Sequence, residues 1–296
     1  MQKIIQCVPN FSEGRNLAVI ESIVGAMGEA SAARLADYSF DPDHNRLVVT
    51  ILGGPEEVRQ SMIAGAEKAV ELIDLRVHSG AHPRIGAIDV VPLVPIRGVT
   101  MRDCIDLSYR IGRDIAEKLG VPVYYYEKSA TATHRTNLPD VRRGGFEKLL
   151  ETGLNGDRAP DAGPSQLHPS AGATVVGARD PLVAYNINLA TQDMEIARSI
   201  ASKIRNSELG LKGVRSLSVW LATRSLAQVS MNVTRPAITP ISDVFSYVES
   251  EAHNHGVEVA QSEIIGLVSR RFLGSASPQD LKAFDFKDTQ LLETWL

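Results

Sequence analysis

The chain has 296 residues, of which 44% are hydrophobic, and a net charge of -4 at pH 7. That supports one large core or two modest ones, and it leaves too little clustered positive charge for nucleic acid to be the main partner. No run approaches the roughly 18 apolar residues of a membrane span, and the opening Met-Gln-Lys-Ile-Ile-Gln-Cys lacks the apolar region of a signal peptide, so a cytoplasmic protein without a membrane partner is expected.

Taken in order, Lys3 to Pro9 reads as a short apolar strand. Leu17, Ile20, Ile23, Val24 and Met27 recur at helical spacing over Asn16 to Met27. Between them Pro9-Asn10-Phe11-Ser12-Glu13-Gly14 forms a turn able to hydrogen-bond a ligand. Two strands follow, Arg34 to Phe40 and Asn45 to Leu52, joined by the polar hairpin Asp41-Pro42-Asp43-His44. Pro55 and the acids Glu56 and Glu57 mark a helix start, and Val58, Met62, Ala66, Ala69, Val70 and Ile73 give that helix an apolar face. A strand from Ile85 to Val94 completes the order strand, helix, strand, strand, helix, strand.

Thr100 and Asp103 suit a capping arrangement for a further helix to Lys118, and Gly120 and Pro122 stop it before a strand at Val121 to Tyr126. From Ser129 to Ser170 periodicity fades into a long connection with a short helix near Phe146 to Glu151, and loops of that length are often functional. Pro181 to Leu189 is again a strand, and Thr191 caps the next helix. A hairpin joins Val214 to Leu221 with Leu226 to Val233, a helix runs from Pro240 to His255, and a strand from Val257 to Ile265 follows. A terminal helix is expected from Ser277, with Pro278 as its start. The second half thus repeats the first. The expected fold is α+β, two ferredoxin-like (βαββαβ) subdomains, residues 1–178 and 179–296, with sheets facing each other across a ligand groove that the long connection lines.

Titratable chemistry concentrates in one place, the stretch Arg76-Val-His78-Ser-Gly80-Ala-His82-Pro-Arg84 between a helix and a strand. Gly80 and Pro83 exclude a regular helix there and leave His82 on open backbone. A His pair four apart on one helix face suits a metal, but this backbone does not hold them so; no further ligand cluster exists, and no metal is expected. An imidazole titrating near neutral pH suits general acid/base work. Arg76 and Arg84 are expected to keep it neutral. Arg46 reads as a carboxylate clamp, and Cys7 and Cys104 read as buried thiols.

Several motifs together resemble one family: Cys7-Val-Pro-Asn10-Phe-Ser-Glu-Gly14, Asn45-Arg46, His78-x-Gly-x-His82-Pro-Arg84-x-Gly-Ala-x-Asp89, Val121-Pro-Val-Tyr124, Gly163-Pro164-Ser165, Gly172-Ala-x-Val-x-Gly177-Ala-Arg179, Ala184-x-Asn186-x-Asn188-Leu and Leu226-Ala-Gln-Val-Ser. The chain is similar over nearly its whole length to the glutamate formiminotransferases, the transferase half of formiminotransferase-cyclodeaminases, and it ends about where that half should. The resemblance implies transfer of a formimino group from N-formimino-L-glutamate to N5 of tetrahydrofolate, with folate as co-substrate and a homodimer as the assembly. It makes His82 catalytic and puts folate on Gly163, Pro164, Ser165, Gln166, Leu167, His168, Pro169, Ser170, Ala171 and Gly172. Asn10, Asp37, Arg46, His78, Arg84, Asn186 and Asn188 complete the expected substrate-binding set, and Arg135 or Arg142 joins Arg46 and Arg84 in anchoring glutamyl carboxylates. Ser39 and Ala171 depart from the acid and the aromatic usual in the family; Asp37, Asp41 or Asp43 stand in for the acid, and His168 for the ring. Formyl transfer and folate binding without catalysis are the alternatives, and a His78/His82 metal hydrolase is a weaker rival.

Overall fold

Hydrophobic periodicity and capping chemistry build the elements that position the site. A computed structural model describes residues 2–205 and 210–296, and the chain divides into two compact units, Met1–Asp180 and Pro181–Leu296. The first contains strands β1 (Ile4–Cys7), β2 (Asn10–Phe11), β3 (Arg34–Asp41), β4 (Arg46–Gly53), β5 (Ile88–Arg97), β6 (Val123–Glu127) and β7 (Thr174–Ala178). Its helices are α1 (Leu17–Glu29), α2 (Pro55–Leu72), α3 (Met101–Leu119), α4 (Leu138–Val141) and α5 (Gly145–Thr152).

Helix ends follow their sequence signals. Glu57 reaches back to the Gly54 N–H (2.8 Å), and Thr100 and Asp103 exchange hydrogen bonds at the start of α3, an arrangement of the kind worth about 1 kcal/mol. Gly120 ends α3 in the left-handed conformation. Residues spaced three and four apart on α2, among them Val58, Met62, Ala66 and Ala69, pack with Ile20 and Ile23 of α1 and Ile111 and Ile115 of α3 against one face of the sheet.

The sheet is larger than the four strands that the element order suggests. β4 lies between β3 on one side and the collinear β1 and β2 on the other, all antiparallel, and β5 continues the sheet beyond β1 and β2. From there it turns parallel, β5 to β7 to β6. Strand β7 was not expected, because five fully buried residues, Thr-Val-Val-Gly-Ala, show no alternation to mark them. β2 lies in what reads as a turn, and two residues carry no periodicity. On the second face, α5 and its neighbours set Leu149 and Leu154 over Ile85, Val90, Tyr124, Tyr126 and Val175. The long connection is therefore largely a lid on the parallel half of this sheet.

The second unit runs β8 (Val183–Leu189), α6 (Met194–Arg205), β9 (Val214–Leu221), β10 (Leu226–Val233), α7 (Ile241–Asn254) and β11 (Val259–Ile265). Its sheet is antiparallel throughout, ordered β11-β8-β10-β9. Tyr185, Ile187 and Leu189 face Ile200, Ile204, Val244 and Val248 of the two helices. Thr191 accepts the Asp193 N–H, and Asp193 in turn accepts that of Glu195, so the first helical residue comes later than the sequence pattern places it. No terminal α-helix starts at Ser277: Ser277 and Asp280 close a single turn on each other, and the tail continues in short 3-10 turns at Asp288–Gln290 and Leu292–Trp295.

Between the His82 loop and β5 the backbones leave no room for a side chain. A Cβ on Gly86 would lie 1.9 Å from the Ala173 carbonyl oxygen, whereas one on Gly25, inside α1, would meet nothing within 4 Å. Gly86→Ala should destabilise the protein by at least about 2 kcal/mol, while Gly25→Ala should be neutral or stabilising by up to about 1 kcal/mol; urea unfolding of the two variants checks the contrast.

Candidate functional site

Three segments meet at the edge of the first sheet: the turn after β2, the β3–β4 hairpin and the loop Leu75–Ala87. Asn45 joins them. Held at φ 48°, a left-handed conformation that Asn tolerates better than most residues, it accepts the Gly14 N–H at Oδ1 (2.8 Å) and donates from Nδ2 to the Ser79 carbonyl (2.9 Å). The Ala81 N–H donates to Asp43 O (3.0 Å). Gly80 lets the loop approach, since a Cβ there would sit 2.4 Å from the His44 carbonyl oxygen. At its ends the loop is tied to Ser170 and Ala171 through Leu75 N–H (2.8 Å) and Ala87 N–H (2.9 Å).

His82 is thereby carried against the start of β4. Its Nε2 lies 2.7 Å from Arg46 Nη1; because guanidinium only donates, Nε2 accepts and the ring proton sits on Nδ1. The His44 ring stacks on it, centroids 6.0 Å apart and planes at 29°. Burial, then Arg46, Arg142 and His44, hold the His82 ring well below the ordinary histidine value of about 6.5, so it is neutral at pH 7. Burial likewise lowers Arg46 to about 10. Beside them Arg142 is ion-paired to the buried Asp89, whose other oxygen accepts the Ile85 N–H (2.9 Å); burial lifts the Asp89 carboxyl against the pull of Arg142.

Several expected roles change with this geometry. Arg76 is exposed and pairs with Asp74 (2.6 Å). Arg84 serves His78: its Nε donates to His78 Nδ1 (2.9 Å) and Nη2 to Glu147 (2.7 Å). His78 Nε2–H then donates to the Asn45 carbonyl (3.1 Å), which makes it a brace for the Asn45 junction. Arg46 and Arg142, not Arg76 and Arg84, depress the catalytic candidate. Nor are Arg135 and Arg142 open anchors: Arg135 is paired with Asp161 and stacks 5.3 Å over the Tyr124 ring. Asn10 donates to the Val8 carbonyl (3.0 Å). Asp37, Ser39 and Asp41 pair across with Thr50, Val48 and Arg46, so all six share one face of the sheet.

The stretch from Gly163 to Gly172 contributes in two parts. Gly163, Pro164, Ser165 and Gln166 are exposed, and Leu167 packs partly into the core. From His168 to Gly172 the chain folds into a turn, with Pro169 at its exposed tip and its ends exchanging hydrogen bonds; His168 Nδ1 accepts the Ala171 N–H (2.9 Å). Ala171 is buried in the first unit's core, so His168 caps its own turn and does not replace an aromatic ring there. Asn186 and Asn188 lie in the second unit, on the face of β8 opposite Tyr185, Ile187 and Leu189. Buried Asn188 accepts from Gln228 (2.8 Å) and donates to Glu263 (3.1 Å), which also pairs with Arg224.

His44 and the Gln228–Asn188–Glu263 chain escape sequence reasoning. Hairpin chemistry accounts for Asp43-His44 by itself, and partners on different strands carry no common spacing. Cys7 and Cys104 are buried and unpaired, and burial raises both thiols, Cys104 to about 12. Among the described residues no group of three His, Cys, Asp or Glu could hold a metal ion, and no helix is long and apolar enough to cross a membrane.

Removing the cation beside His82 strands a buried carboxylate. Arg142→Ala should cost about 3–5 kcal/mol, and much less in an Asp89→Asn background; chemical denaturation of the double-mutant cycle measures the coupling.

Comparison with known proteins adds the family context. Residues 4–179 match the formiminotransferase domain, N-terminal subdomain, and residues 184–285 the formiminotransferase domain. The chain is 42% identical over 297 residues to a glutamate formimidoyltransferase of Streptococcus pyogenes serotype M1, covering 100% of this chain and 99% of that one. It is 39% identical to a glutamate formimidoyltransferase of Thermoplasma acidophilum, covering 98% and 96%. A formimidoyltransferase-cyclodeaminase of Sus scrofa is 41% identical over 94% of this chain and 52% of its own.

Proposed function

The chain belongs to the formiminotransferase family, and on that premise we propose that it transfers the formimino group of N-formimino-L-glutamate to N5 of tetrahydrofolate, giving L-glutamate and 5-formiminotetrahydrofolate. One observation carries the chemistry: His82, which the resemblance makes catalytic, is a ring kept neutral at pH 7 by its burial and by Arg46, Arg142 and His44.

The reaction needs such a group. As N5 attacks the amidine carbon, the C–N5 bond forms and N5 must lose its proton; as the C–N bond to glutamate breaks, the departing nitrogen must gain one. A single neutral imidazole can accept the first proton and deliver it to the second nitrogen, an effect on the order of 10²–10⁴ in rate. Holding the two substrates together lowers the remaining barrier by reducing the entropic cost of a bimolecular encounter.

Tetrahydrofolate is a co-substrate in this proposal, and no metal takes part. Folate contacts are assigned to the exposed residues Gly163 to Gln166, and carboxylate recognition to Arg46. His78 and Arg84 position the loop in place of touching substrate. Division into ferredoxin-like halves, residues 1–178 and 179–296, belongs to the same proposal and is supported by the repeated βαββαβ element order. The enzyme is taken to be cytoplasmic.

His82→Ala should retain tetrahydrofolate binding within a few-fold while kcat for 5-formiminotetrahydrofolate formation falls by about 10²–10⁴. Protonation of His82 removes the base, so the rate declines as pH falls. Because the ring is held below the ordinary value, kcat/KM in the wild type should still be near its plateau at pH 6.5, where an unperturbed histidine is half protonated. Stopped assays of wild type and His82→Ala across pH 5 to 8, with equilibrium folate binding, check both outcomes; unchanged turnover in His82→Ala, or a use of formylglutamate in preference to formiminoglutamate, would overturn the assignment.

A further inference from the structure

The basic nitrogen of His82 already has a partner. Arg84, Arg135 and Arg142 are each ion-paired to a carboxylate, Glu147, Asp161 and Asp89. Arg46, at the start of β4, instead donates from Nη1 to a neutral ring nitrogen at 2.7 Å. A guanidinium gains far more from a carboxylate than from an imidazole, because the bond is then charged at both ends and can be bidentate. While Arg46 stays in place, the lone pair that general-base catalysis requires is occupied. The other ring nitrogen offers no substitute, since it carries the proton.

We propose that Arg46 is a substrate-operated latch: in the free enzyme it masks His82 Nε2, and on binding it swings to the α-carboxylate of formiminoglutamate, exposing the base only when donor is present. This rests on the transferase assignment above and deepens it. The donor's chemistry selects the α-carboxylate, which is bonded to the same carbon as the nitrogen that leaves. A side chain beside the base therefore lies within reach of it, whereas the side-chain carboxylate is two methylenes further away. In the step itself Arg46 Nη1–H breaks its contact with Nε2 and donates to the carboxylate. The freed lone pair takes the N5 proton as the C–N5 bond forms, and that proton passes to the glutamate nitrogen as its bond to the amidine carbon breaks. No redox change or further reactant is involved.

The groups that face the pair are known. Asp41 lies across from Arg46 in the β3–β4 register, His44 stacks on the His82 ring, and the Arg142–Asp89 pair stands next to both. None of them changes partner in the proposed motion. Replacing one cation beside His82 by a bound anion must raise the affinity of the ring for protons, so masking and unmasking have a titration signature that a purely structural arginine would lack.

The test follows the His82 ring by nuclear magnetic resonance in full-length wild type, free and saturated with N-acetyl-L-glutamate, an unreactive probe that keeps the α-carboxylate. The expected result is a His82 titration well below the ordinary histidine range in the free protein and shifted upward when the probe is bound. In parallel, the acid limb of kcat should lie at higher pH than that of kcat/KM, because the first reports the bound and the second the free enzyme. Arg46→Gln should raise the free-enzyme titration, merge the two limbs and raise KM for formiminoglutamate about 10- to 100-fold, the loss of a charge-assisted hydrogen bond. Arg46→Lys, which keeps the charge, should retain part of the separation. If the probe binds and wild type turns over but the His82 titration is unmoved, the latch is wrong and the transferase assignment stands. If wild type neither binds the probe nor forms 5-formiminotetrahydrofolate, both fall together.

Discussion

Everything at the candidate site depends on how Asn45 is held. One amide side chain, on a backbone bent into the left-handed region, ties the turn at Gly14 and the loop at Ser79 to its own hairpin, and its carbonyl takes the His78 N–H as a third connection. Without these bonds the buried polar groups of three irregular segments would have no partners, a cost of about 1–3 kcal/mol for each group left unsatisfied. The next residue in the chain is Arg46. Fixing Asn45 therefore fixes where β4 begins and which nitrogen of His82 faces a cation.

Charge is distributed around this junction in an orderly way. Arg84, Arg135 and Arg142 are each compensated by a carboxylate, and each pair sets the position of one backbone segment. Arg84–Glu147 joins the His82 loop to the covering helix α5, Arg142–Asp89 joins the same connection to β5, and Arg135–Asp161 closes the connection on itself. The two buried pairs, Arg142–Asp89 and Arg135–Asp161, are costly to desolvate, which makes them weak contributors to net stability, whereas Glu147 is exposed. Their effect here is to leave Arg46 free of a carboxylate and donating to the neutral His82 imidazole.

The structure also explains why the loop can be polar, glycine-rich and still well placed. Its two ends hydrogen-bond to Ser170 and Ala171, and the turn that presents those groups is capped internally by His168. The stretch that the family resemblance gives to folate is thus in part the support of the His82 loop. In the second unit, polar residues share one sheet face because strands alternate, and they satisfy one another through Gln228, Asn188 and Glu263.

Much of this was legible in the residues. Helices α1, α2, α3 and α7 announce themselves by spacing and caps, the β9–β10 hairpin by alternation, and His82 stands out as a candidate by the density of titratable groups near Gly80 and Pro83, because these are local properties that neighbours in sequence impose on one another. The buried strand β7, the pairing of Arg142 with Asp89, the partner of His44 and the diversion of Arg84 to His78 were not. A fully buried strand has no exposed side to reveal its period, and an ion pair between residues 53 positions apart leaves no trace in either neighbourhood. Local patterning in the sequence alone therefore determined most helices and the second unit's hairpin, and gathered titratable groups around His82; only tertiary structure decided which cation faces that ring, because that depends on where separate segments are brought within hydrogen-bond distance.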